Sequence, residues 1–239
     1  MAAPVNILKA PVNLTTVFRT TIGMKVLMAV TGLIWIGFLF FHMYGNVKVF
    51  LGPEYFNAYA EGLRELGHPV FGRLHLLTLL RVIMVVAFVT HVYLQFVLYR
   101  KNAASRSTSY SMHKKVQANP ASLTMRYGGV AILFFVLYHL SDLTWGVPGI
   151  HSDFQSGQAY HNLTTSFQSP INVVLYLIAL AALAMHLYHG TWSMFQTLGV
   201  NSKRTTPTLR LVALGLAVVI PVGFAIVPLS VFFGIVPLL

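Results

Sequence analysis

The feature that most constrains this chain is a series of five apolar runs, each about 20 residues or longer, enough for a helix to cross a bilayer. They fall at about residues 24–44, 75–99, 128–147, 171–198 and 209–227, and an apolar tail continues to Leu239. A soluble protein can bury one such run. Five leave too little polar surface to cover them: charged residues are 9% of the 239, against roughly 25% in soluble domains. The runs predict an all-α, polytopic membrane protein of five transmembrane helices, because a helix satisfies its own backbone polar groups in lipid. The whole chain, 1–239, reads as one transmembrane domain in which residues 1–20 form an N-terminal arm on the cytoplasmic side. That arm carries Pro4, Lys9, Pro11 and Arg19 and no apolar core of the kind a cleavable signal needs.

The net charge of +11 suggests nucleic acid at first, but the placement of the charges argues for topology instead. Lys9, Arg19 and Lys25 precede or open the first run. Arg100, Lys101, Arg106, Lys114, Lys115 and Arg126 lie between the second and third. Lys203, Arg204 and Arg210 lie between the fourth and fifth. By the positive-inside rule these three regions are cytoplasmic, so the N-terminus is inside and the C-terminus outside. All five acids, Glu54, Glu61, Glu65, Asp142 and Asp153, fall on the other side. The first outer connection carries a short interfacial helix over 53–66. His68, His151 and His161 in the outer loops, and His113 in the inner one, read as solvated. There are no cysteines, which excludes disulfides and thiolate-held iron–sulfur clusters within this chain.

Each of the first four runs holds one histidine deep inside it: His42, His91, His139 and His186. An ionisable side chain at membrane depth is costly and marks a functional site by default. With a rise of about 1.5 Å per residue, His42 and His139 lie about 25 and 20 Å from the inner boundary, and His91 about 13 Å. The depths pair His42 with His139 toward the outside and His91 with His186 toward the inside. Two imidazoles facing each other across a helical bundle suit the axial positions of a b-type haem. The runs of the two halves also echo each other: Phe-Phe-His42 against Leu-Tyr-His139, and His91-Val-Tyr against His186-Leu-Tyr. Spacing alone leaves His189, three residues on, as the alternative to His186. Arg81, the one cation deep in a run, is placed to pair with a haem propionate on the outer side.

At this point the residues resemble a known family, the cytochrome b membrane anchor of succinate dehydrogenase and fumarate reductase, in its five-helix, di-haem class in which a single polypeptide forms the anchor. The resemblance spans essentially the whole chain, 1–239, as a single transmembrane cytochrome b domain. It rests on the four histidines at spacings of 49, 48 and 47 residues and on the pattern His186-x-x-x-Gly190-x-Trp192 running on to Leu198-Gly199. That pattern favours His186 over His189. The resemblance implies two haem b groups, one held by His42 and His139, the other by His91 and His186. It implies a flavoprotein partner carrying FAD and an iron–sulfur partner on the cytoplasmic face, with succinate oxidised in the partner and quinone, commonly menaquinone, meeting this chain. It leaves two places for the quinone: beside the outer haem, with Glu61 or Glu65 handling protons, or near the cytoplasmic ends of the first and fourth helices. The alternatives are a di-haem subunit of another membrane oxidoreductase, of formate dehydrogenase, nitrate reductase or hydrogenase type, and a cofactor-free transporter. The first tends to carry two ligands on one helix. The second needs helices broken at the midplane; the first four runs show little of that, although Pro221 and Pro228 interrupt the fifth.

Overall fold

Long apolar stretches with few internal breakers dictate helices, and polar caps set their ends. The computed structural model of the chain describes residues 19–105 and 120–238. Lys9, Arg106, His113, Lys114 and Lys115, with most of the N-terminal arm, lie outside the described residues. The helices are α1, Thr21–Val47; α2, Pro53–Gly62; α3, His75–Ala104; α4, Pro120–Leu143; α5, Ala159–Ser166; α6, Pro170–Thr197; and α7, Thr206–Phe232. A 3-10 turn, Lys48–Leu51, links α1 to α2. Thr20 caps α1, its hydroxyl accepting from the Gly23 amide at 3.0 Å. Ser169 does the same for α6, with Pro170 in the first turn, where its missing N–H costs nothing.

Among the described residues four helices, α1, α3, α6 and α7, are long and apolar enough to cross a membrane, and only 6–33% of their apolar windows is buried within the chain. Large apolar side chains such as Phe41, Val85, Phe134, Ile178 and Leu211 therefore face outward, as lipid contact requires. The five expected spans all appear as long helices, with shifted ends. α4 starts about eight residues earlier than expected and stops at Leu143. Arg126 lies near its start and His139 and Asp142 near its end, with an apolar run between them. α7 runs unbroken through Pro221 and Pro228, where the sequence suggested an interruption. Prolines are tolerated in such helices because local adjustment and neighbouring groups re-satisfy the freed carbonyls.

The helices form two hairpins. α1 packs along α3, and α4 packs along α6. α7 lies against α6 and α1 and so joins the hairpins, with α1 also touching α6. One end of the bundle is capped by α2 and α5, which pack on each other. Here sits an apolar core built around Val49, Phe56, Tyr160, Phe167, Tyr176 and Val231. Part of the expected polar loop from 148 to 170 is thus a largely buried helix, α5, while 152–153 and 155–158 stay exposed. Tyr160 has no exposed surface, and its hydroxyl donates to the Pro237 carbonyl at 2.8 Å. The opposite end gathers the described bases of the inner connections. Arg126 stacks on Tyr99 at 4.9 Å and ties α4 to α3. Arg210 over Trp192 at 5.0 Å ties α7 to α6. Lys101 donates to the Arg19 carbonyl at 3.2 Å.

Candidate functional site

The four helix histidines converge as two pairs. His42 on α1 meets His139 on α4, ring centroids 5.9 Å apart and planes at 84°. His91 on α3 meets His186 on α6 at 6.3 Å and 57°. Neither pair joins helices that pack along each other: α1 does not run against α4, nor α3 against α6. The rings bridge the space between the hairpins, and all four side chains are half-buried rather than sealed. Aromatic rings wall the first pair. Phe38 stacks on His42 at 5.1 Å, Phe224 lies 5.5 Å from it, and Phe135 stands 5.9 Å from His139.

Hydroxyl groups hold one ring of each pair. The Thr31 hydroxyl donates to the Leu27 and Met28 carbonyls at 3.1 and 3.0 Å. With that one proton turned to a carbonyl, its oxygen is free to accept from His91 Nδ1, 3.1 Å away. The Tyr176 hydroxyl donates to Asp142 Oδ2 at 3.0 Å, so it too accepts from the imidazole, His139 Nδ1 at 3.2 Å. A ring that donates through Nδ1 in this way keeps the lone pair on Nε2. His186 Nδ1 is buried with no hydrogen-bond partner among the described residues.

Behind Tyr176 lies a polar cluster that sequence reading missed. Asp142, fully buried, accepts from Tyr176, from Ser166 at 2.7 Å and from His151 Nδ1 at 2.9 Å. The other His151 nitrogen meets the Thr165 hydroxyl at 3.0 Å. Asn172 donates to Ser166 and accepts from Tyr138 at 2.6 Å. His151, expected in solvent, is 6% exposed, because α5 folds in over it. The signal available was Asp142 itself, one helical turn beyond His139 on the same helix.

Two glycines mark the level of the second pair. A Cβ added at Gly32 would lie 3.6 Å from His91 Cε1, and one at Gly129 would lie 3.7 Å from His186 Cε1. Gly32 precedes His42 by ten residues, and Gly129 precedes His139 by ten. Ten residues of helix span about 15 Å, so the two pairs stand on levels about that far apart. The matching offset is an extension of the internal repeat that the sequence carries in plain view.

The other candidates lie elsewhere. Glu61 is bound by Arg64 and by Arg73 at 2.6 Å on a half-exposed surface. Those guanidiniums, Arg73 first, hold its carboxyl below the usual range. Glu65 meets Arg73 at 3.0 Å. Arg81 is exposed on α3, with no polar partner among the described residues. His189 is half-buried on α6, and it is His186 whose ring stands opposite His91.

The donor set suits a haem. A metal–imidazole bond is about 2 Å, so two rings on one iron stand with centroids about 6 Å apart, as both pairs do. Imidazoles able to present Nε2 toward the gap, the space between hairpins, aromatic walls and glycines beside the rings all match a flat apolar macrocycle. Among the described residues no three His, Asp or Glu side chains gather into a multi-ligand cage.

A model of the family described as "Succinate dehydrogenase/Fumarate reductase transmembrane subunit" matches residues 98–234. That span takes in α4 to α7, with His139, His186, Asp142 and Tyr176. No curated protein and no solved structure matches the chain.

Proposed function

Because the chain belongs to the family of succinate dehydrogenase and fumarate reductase transmembrane subunits, we propose that it anchors such a complex, holds two b-type haems and links an iron–sulfur partner electrically to a quinone. The observation that carries this reading is the pair of facing imidazole pairs, 5.9 and 6.3 Å across. His42 and His139 hold one haem near the capped end; His91 and His186 hold the other near the basic end. When bound, the two haems supply one-electron carriers at two depths of the membrane. The protein's own part is to fix the rings, exclude water and set the spacing of the levels.

α4 is the fifth crossing in this reading. Its charge at the capped end, Asp142, is held by three hydrogen bonds, and Arg126 marks its basic end. The basic end faces the cytoplasm, with the N-terminus inside, and receives the iron–sulfur subunit and, through it, the FAD flavoprotein that oxidises succinate. The quinone is menaquinone, the acceptor typical of the di-haem class that the chain resembles. A transporter with helices broken at the midplane fits poorly, since α7 stays helical through both of its prolines.

The test is the haem content and the reduced-minus-oxidised spectrum of the purified complex, read with single variants. His42→Ala and His139→Ala should each remove the same haem, and His91→Ala and His186→Ala the other. Loss of different haems by two members of one pair, or a colourless complex made with ample haem, overturns the proposal.

A further inference from the structure

The two histidine pairs differ in what stands behind them. His139 Nδ1 reaches the Tyr176 hydroxyl at 3.2 Å, and that hydroxyl ends on the buried carboxylate of Asp142 at 3.0 Å. His91 Nδ1 reaches the Thr31 hydroxyl at 3.1 Å, which ends on two neutral main-chain carbonyls. His186 Nδ1 has no partner among the described residues. A hydrogen bond from Nδ1–H to an acceptor fixes the tautomer and makes Nε2 a stronger donor to a metal, more so when the acceptor is polarised by a charge. A stronger donor favours ferric over ferrous iron. Burial makes this polarisation count, since no water screens the carboxylate: Asp142 is 0% and Tyr176 7% exposed.

We propose that Tyr176, backed by Asp142, is a positioning residue that orients His139 and lowers the potential of the haem at the capped end, while Thr31 orients His91 with a weaker effect at the basic end. The structure thereby builds two unequal centres from four identical ligands. The inference rests on the two-haem reading above.

Asp142 is suited to this role by its own bonding. Ser166 and His151 also donate to it, so its orientation does not depend on Tyr176. Tyr176 is wedged among Phe135 at 4.9 Å and Phe167 at 4.8 Å, contacts that a phenylalanine keeps. Tyr176→Phe therefore removes one oxygen and little else. Thr31→Val likewise preserves shape at the other level.

The experiment is a redox titration of both haems in the intact complex, with haem per chain measured on the same preparation. Tyr176→Phe should raise the potential of the haem lost in His139→Ala and leave the other in place. The expected size is a tenfold or larger change in the ratio of reduced to oxidised haem at fixed potential, about 59 mV for a one-electron couple. Thr31→Val should raise only the other potential, and by less. Asp142→Asn should move the same centre as Tyr176→Phe, and it reads the question independently should Tyr176→Phe assemble poorly. Two haems present with both potentials unmoved, or both shifted alike by Tyr176→Phe, overturns this inference and leaves the two-haem reading standing. Absence of haem from the unaltered complex overturns that reading instead.

Discussion

The histidine pair at the capped end and the pair at the basic end are built from the same side chains, yet the protein treats them differently. The first is walled by Phe38, Phe135 and Phe224 and tied through Tyr176 to a buried carboxylate. The second has one neutral hydroxyl, one nitrogen unpartnered among the described residues and two glycines close by. The contrast follows from where each lies. The capped end has α2 and α5 folded over it and can shelter a charged network. The basic end opens toward a surface that a partner protein covers in the proposed complex.

The comparison breaks most completely if the ligands are removed. A single His139→Ala or His186→Ala exchange should each cost one haem of two, and the surviving absorption bands should differ between the two variants. Next in size is the loss of the carboxylate. Asp142→Leu strips the acceptor from three buried donors and should destabilise the chain by about 3 kcal/mol or more, measured by thermal unfolding in detergent. No residue near the basic-end pair should match that cost.

A smaller effect is expected at the glycines. The nearest imidazole atoms to an added Cβ are 3.6 and 3.7 Å away, ordinary contact distances, so Gly32→Ala and Gly129→Ala should retain both haems. Gly32→Leu or Gly129→Leu should displace the haem of the basic end alone, seen as a fall to one haem per chain. The smallest effect belongs to Glu61. Its carboxyl is held down in pKa by Arg73 and Arg64, so the ion pairs contribute above the usual carboxylate pKa and fade as pH falls through the lowered value. Glu61→Gln should leave haem content unchanged and sharpen the contrast by showing that this exposed cluster serves only the local fold. Faster proteolysis between residues 62 and 75, with little pH dependence left, is the reading expected.

Much of this arrangement is legible in the sequence. Apolar length announces helices in lipid whatever their partners, and one histidine per run at near-equal spacing forces facing pairs once the runs are stacked as hairpins. The burial of His151 is not legible there. A polar stretch such as 148–170 reads as solvated, and only tertiary packing of α5 against α2 and α4 buries His151 within it. The continuity of α7 through Pro221 and Pro228 escapes the sequence for the same reason: neighbouring helices, not local preference, decide whether a proline ends a helix in lipid. Arg81 shows the opposite limit. Its depth along the chain is readable, but the way its helix is rotated is not.

The ten-residue offset between glycine and histidine has a mechanical consequence. α1 and α4 each carry a histidine of one level and a glycine beside the other. Sliding either helix by a single turn would spoil both sites at once, so the two cannot drift apart in evolution or in thermal motion without a shared penalty. The helix backbone acts as a ruler, and in the proposed complex the vertical distance over which electrons would tunnel is written into its screw rather than into any loop.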